Sequence, residues 1–131
     1  MPGVTTLLAQ LQAGGYPLAV ATASDKNWAD RWLSHFDLRA YFRVVATSDD
    51  VENNKPAPDV YLFAARQLGV SPERCLVFED SVAGLEAAKA AGMTVVAVPS
   101  HSTKSLNFGQ ADAIAHGLQQ VTLEWIENFR S

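Results

Sequence analysis

Cysteine occurs once in these 131 residues. Cys75 lies inside an apolar run, so no internal disulfide can form, and the residue reads as an inert core thiol. A single cysteine suits a reducing, cytoplasmic setting. Basic residues are also in short supply: ten Lys and Arg stand against fourteen Asp and Glu, for a formal net charge of −4. No basic stripe is available to displace counterions, and a nucleic-acid partner is not expected. No apolar run approaches the ~20 residues of a membrane span, and no membrane partner is expected either. The opening stretch MPGVTTLLAQ has neither a basic n-region nor a long apolar h-region, which argues against a signal peptide. The three histidines, His35, His101 and His116, are scattered and make no metal-ligand set. Repeats, low-complexity tracts and linkers are missing too.

What is present is a globular composition, 48% hydrophobic and 18% charged. The length suits a single domain over 1–131, able to bury roughly two-thirds of its unfolded surface. Val4, Leu7, Leu8 and Leu11 fall at helical spacing over 4–13, and Gly14-Gly15 ends that helix. The run PLAVA (17–21) reads as a first strand, and 27–36 as a helix with Ser24 or Asp25 as N-cap. Trp28 and Trp32 lie one turn apart on it and read as half-buried packing. FRVVAT (42–47) is a second strand, and SDDVENNKPAPD (48–59) a polar, proline-bearing loop. Helices over 60–69 and 81–92 bracket a third strand, RCLVFE (74–79). TVVAV (94–98) is a fourth strand, PSHSTKS (99–105) a solvated loop, 111–117 holds a very short fifth strand, and 122–129 is a closing helix.

Strands that are apolar on both faces and alternate with helices imply an α/β fold: a doubly wound, Rossmann-like parallel sheet covered on both sides. Ligands of such sheets bind outside the carboxyl ends of the strands. The first strand ends in Ala21-Thr22-Ala23-Ser24, a hydroxyl-bearing turn before a helix N-terminus, and thus an anion site unless Ser24 simply caps the helix. Beyond the second strand, Lys55 precedes Pro56, which holds its backbone extended and could aim a point charge at a phosphate. The third strand ends in Glu79-Asp80. Carboxylates there suit Mg²⁺, which takes one or two of them plus substrate phosphate, unless Asp80 only caps the following helix.

The stretches LAVATAS, NNKPAPDVYLFAARQLGV and CLVFEDSVAGLEAAKAAGMTVVAVP resemble the haloacid dehalogenase (HAD) superfamily, and its β-phosphoglucomutase and sugar-phosphatase branch most of all. The resemblance runs from Pro2 to the last helix. It implies Mg²⁺-dependent phosphoryl transfer through an aspartyl-phosphate, with a phosphorylated small molecule or phosphate as partner. By motif, Thr22 would bind the transferring phosphoryl group, with Ala23 and Ser24 beside it. Lys55 would neutralise that group and the nucleophile. Asp80 would bind the metal, with Glu79 next to it at or around the metal site. Positioning and charge neutralisation are what phosphoryl transfer needs most.

The family also uses an Asp-x-Asp at the end of a first strand, and none occurs here; the acids of SDDV (48–51) are adjacent and elsewhere. The resemblance therefore implies a HAD-like core lacking its central strand, its nucleophile and its cap. Such a core would be inactive or incomplete alone and would hold Mg²⁺ weakly. The alternative is a non-catalytic module that binds phosphate, a phosphometabolite or a protein. The vacant central position would lie between the first and third strands of this chain. We expect either direct pairing of those two strands or a homodimer through the gap. A receiver domain, also a small doubly wound sheet, has its acids before its hydroxyl. Here the hydroxyl comes first, at Thr22, and the acids last.

Overall fold

The computed structural model describes residues 3–100 and 107–130. Most of the 99–105 loop, and His101 with it, lies outside the described residues. The chain runs α1 (Val4–Ala13), β1 (Ala19–Ala21), α2 (Lys26–His35), β2 (Val44–Ala46), α3 (Asp59–Leu68), β3 (Leu76–Glu79), α4 (Val82–Ala90), β4 (Thr94–Ala97), β5 (Ala113–Ile114) and α5 (Leu123–Arg130). Three-residue 3-10 turns precede α3, β2, β3 and α5. No described helix is long and apolar enough to cross a membrane.

Local chemistry explains the boundaries. Asp25, not Ser24, caps α2, accepting a hydrogen bond from the Trp28 amide at 2.8 Å. Ser81, not Asp80, caps α4, accepting from the Gly84 amide at 3.0 Å. Both serine and aspartate satisfy a free helix amide well, so sequence alone does not choose between neighbours. α3 stops at Gly69, whose φ of 74° is the left-handed conformation that glycine enters without steric cost. Cys75 sits one residue before β3, half-buried; burial and then the charge of Glu73 push its thiol up. Trp28 stays 49% exposed and stacks on half-buried Trp32, so the pair lies at the surface more than the packing expectation held.

All strand pairs among the described residues are parallel. β1 pairs with β2 in the register Ala19 to Val44, and β3-β4-β5 form the other ladder, Leu76 opposite Thr94 and Val96 opposite Ala113. Side chains alternate between two layers as extended strands require. Ala46, Val77, Val95 and Ala97 face α3 and α4, where they meet Val60, Ala64, Leu85 and Ala88. Val96, Leu76 and Phe78 face α1 and α5, meeting Leu7, Leu11 and Ile126. Val20 and Val45 continue that second layer under Leu8 and Leu33.

One expectation is overturned. β1 and β3 do not pair with each other: the described strands form a two-stranded sheet and a separate three-stranded sheet. α3 packs on β1, β2 and α4, and the core around it holds residues of both sheets. Among the described residues the halves are joined by side chains in a shared layer.

Asp112 ties β5 to its neighbour. Its carboxylate accepts from the Val95 amide at 2.8 Å and from Lys89 at 2.9 Å, while its own amide donates to the Val95 carbonyl. The Val95 amide above all, with Lys89 adding to it, holds Asp112 below the usual aspartate range against the opposing effect of burial. A depressed folded-state pKa contributes stability above the unfolded value, and that stability is lost as pH falls through the folded one. Asp112→Ala should cost about 1 kcal/mol at pH 7, discounted for the solvent exposure of the pair. The gap from wild type should close as the pH drops below the ordinary aspartate range. Urea unfolding at neutral and strongly acid pH measures both.

Candidate active site

The carboxyl ends of β1 and β3 meet at one lysine. Lys55 comes from the loop before α3, which is closed on itself: the Asn53 amide and side chain both donate to Asp59 at 3.1 Å, and the Ala57 amide donates to the Asn54 carbonyl. The Lys55–Pro56 bond is cis rather than part of a simple extended run. From this loop the Lys55 ammonium reaches the Ala21 carbonyl at 3.2 Å and Glu79 Oε2 at 3.0 Å. One side chain thus touches the last residue of each strand.

Glu79 and Asp80 diverge. Successive residues at a strand end point to opposite sides. Glu79 turns inward, buried, while Asp80 is exposed. Five donors converge on the Glu79 carboxylate. Oε2 accepts from Lys55 and, in a short hydrogen bond, from the Tyr61 hydroxyl. Oε1 accepts from the Asp80 and Ser81 amides at 3.2 and 3.3 Å and from the Ser81 hydroxyl at 3.1 Å. Burial alone would raise the Glu79 pKa. The Lys55 charge and the hydrogen bonds from Tyr61, Lys55 and Ser81 outweigh burial and hold it below the glutamate range. Asp80 moves the other way, raised by partial burial of its carboxyl and by the charge of Glu79.

Thr22 follows Ala21 directly. Its amide donates to the Ala46 carbonyl, and its Oγ1 accepts from the Ser24 amide at 3.1 Å. That accepting role leaves the hydroxyl proton for an anion. With Asp25 serving as cap, the Ser24 hydroxyl makes no hydrogen bond among the described residues, and Ala23 between them is exposed. The α2 N-terminus is less open to an anion than the sequence suggests. Its Lys26 amide is taken by Asp49 at 3.0 Å and its Trp28 amide by Asp25, two carboxylates where a phosphate would compete. With those two helix amides taken, the polar groups left at this end of the sheet are the 22–24 turn and Lys55.

The structure therefore brings Lys55 and Glu79 into contact, with Thr22 next to the Ala21 carbonyl and Asp80 next to Glu79. Sequence reasoning missed three contributors: Tyr61, Ser81 and Gly84. Tyr61 carried one readable signal, a tyrosine in the first turn of an apolar helix face, whose hydroxyl needs a partner when buried. As to a cation, no group of three or more His, Cys, Asp or Glu side chains is gathered among the described residues. Both Glu79 oxygens are already engaged. Asp80 is the one exposed carboxylate of the pair, and a single carboxylate suits a hard cation that keeps waters and a substrate phosphate.

Gly84 is required by this packing. A Cβ there would collide with the Glu79 Cδ and Oε2. A free glutamate tip could swing aside, but this one is fixed by five donors. Helix propensity favours alanine over glycine by about 1 kcal/mol. We expect the opposite sign: Gly84→Ala should be about 1–3 kcal/mol less stable than wild type, as in an overpacked core. Thermal or urea unfolding decides.

Comparison with known proteins shows the family. Residues 1–98 match the family model described as haloacid dehalogenase-like hydrolase. The chain is 39% identical over 127 residues to the phosphorylated carbohydrates phosphatase of Thermotoga maritima, covering 97% of this chain and 57% of that protein. It is 47% identical over 85 residues to the fructose-1-phosphate phosphatase YqaB of Escherichia coli, covering 65% and 45%. Among solved structures, CbbY from Rhodobacter sphaeroides in complex with phosphate superposes with a TM-score of 0.90 at 35% identity, over 96% of this chain and 58% of that one. The chain spans about half the length of the curated relatives it matches. With its parallel strands, its helices on both faces and its lysine and acids at the strand ends, the chain belongs to the haloacid dehalogenase-like hydrolases.

Proposed function

We propose that this chain is the phosphate- and cation-binding part of a phosphatase or phosphomutase acting on a phosphorylated small molecule. The observation that carries the reading is Lys55, held between the Ala21 carbonyl and Glu79, with Thr22 the next residue after Ala21. A phosphate placed there meets a hydroxyl donor and an ammonium. Mg²⁺, which the family resemblance implies, would be held by Asp80 and would offset phosphate charge; one protein carboxylate holds it weakly. Glu79, whose oxygens are filled, serves Lys55 more than the metal. The phosphate in the CbbY complex, and the xylulose-1,5-bisphosphate bound to a mutant of that same protein, support this ligand class.

No Asp-x-Asp occurs in these 131 residues, so no aspartyl nucleophile is at hand for covalent transfer. That same observation favours the second reading, a phosphate- or phosphometabolite-binding or protein-interaction module without chemistry. We further read residues 1–131 as one domain, place it in the cytoplasm on the strength of its lone cysteine, and assign it no nucleic-acid or membrane partner. The free edges of β1 and β3 make a homodimer our proposal for the assembled state; elution as a monomer across a hundredfold concentration range counts against it.

The deciding experiment pairs inorganic phosphate titration with aryl phosphate hydrolysis in the presence of Mg²⁺. Phosphate should bind, and Lys55→Met should weaken it about tenfold or more, the usual worth of a charged hydrogen bond. Turnover should not exceed that of Asp80→Ala. Clear turnover that Asp80→Ala abolishes would mean that another residue or another chain supplies the nucleophile. Absence of phosphate binding would sink the first reading and leave of the second only the protein-interaction module.

A further inference from the structure

Tyr61 is the one group of this cluster to which neither the sequence pattern nor the site chemistry assigns a task. It lies in the first turn of α3, buried, with its ring against the apolar layer that includes Val60, Ala64 and Val77. Its hydroxyl donates to Glu79 Oε2, the same oxygen that receives Lys55. Its ring also carries the Lys55 ammonium, 5.0 Å from the ring centre. One side chain therefore touches both members of the buried ion pair. Burial, and then the negative charge of Glu79, push its hydroxyl far above the ordinary tyrosine range, so it stays a donor.

We infer that Tyr61 is a positioning residue of the phosphate site: its hydroxyl shares Glu79 Oε2 with Lys55, and its ring supports the ammonium from the side, so that Lys55 is aimed at an incoming anion rather than spent on its counterion. The inference rests on the phosphate-site reading above. Three features argue for it physically. An ammonium has three donors, and two of Lys55's are used, by Ala21 and Glu79. A carboxylate oxygen that lacks its second donor holds a facing ammonium more tightly, because both sit in a low-dielectric interior. An aromatic face attracts a cation without consuming its donors, so the third N–H remains available for a phosphate oxygen.

The test compares Tyr61→Phe and Tyr61→Leu with wild type by calorimetric titration of inorganic phosphate, with a thermal unfolding midpoint for each. Phenylalanine keeps the ring and loses the hydroxyl; leucine loses both. Tyr61→Phe should bind phosphate about three- to tenfold more weakly, the range of one hydrogen bond, and Tyr61→Leu more weakly still. A merely structural tyrosine would lower the unfolding midpoint and leave the affinity of the folded protein unchanged. Unchanged or tighter phosphate binding in folded Tyr61→Phe therefore overturns the inference. Lys55→Met separates the two levels, with Thr22→Ala in its place if that variant does not fold. If the control weakens phosphate binding and Tyr61→Phe does not, the positioning role fails alone. If the control binds phosphate as wild type does, the phosphate site fails and takes the positioning role with it.

Discussion

A single buried carboxylate organises this molecule. Glu79 ends β3 with its charge inside the protein, where an unpaired carboxylate would cost several kcal/mol of lost hydration. Five donors answer it, one of them cationic. The donors come from several separate constraints on the chain. The Asp80 and Ser81 amides require the sharp turn from β3 into α4. The Ser81 hydroxyl also caps that helix. Tyr61 requires α3 to start where it does, and Lys55 requires the closed loop before it. Because every partner is supplied by the protein, the site is assembled without a ligand.

The same constraint divides labour between two adjacent acids. A carboxylate fully occupied by donors inside the protein is a poor candidate to coordinate anything else, while its exposed neighbour is free to do so. Two like charges at one strand end thus become a buried structural anion and an exposed carboxylate. The difference is made by what faces them, not by their own chemistry. It also shows in their proton affinities, one lowered and the other raised.

Much of this was legible in the sequence, for identifiable reasons. Strands apolar on both faces with helices between them leave few architectures, and the strand ends of a parallel sheet are where ligands bind. Thr22, Lys55, Glu79 and Asp80 could therefore be picked out before any coordinates. The motifs around Lys55 and Asp80 pointed to the family that the comparisons confirm. Other features were not legible. Which of Glu79 and Asp80 turns inward depends on Tyr61, eighteen residues upstream, and on the room left by Gly84, both tertiary matters. Whether Ser24 or Asp25, Asp80 or Ser81 caps a helix is decided by a fraction of a turn. The partners of β1 and β3 are likewise not written in their periodicity, which reports burial and not neighbours.

The seam between the two sheets sets how the molecule can open. Amide ladders within each sheet protect their own N–H groups from exchange with solvent, but no ladder crosses from β1 to β3. Cooperative units of local opening follow such boundaries, since a ladder must break as a whole while side-chain contacts can separate singly. Lys55 stands on this seam, with one bond to each side. A small separation of the halves pulls the ammonium from the Ala21 carbonyl or from Glu79 before either sheet loses a backbone hydrogen bond. The Lys55 contacts are thus among the first in the fold to register relative motion of its halves, because they cross the seam with no backbone ladder beside them.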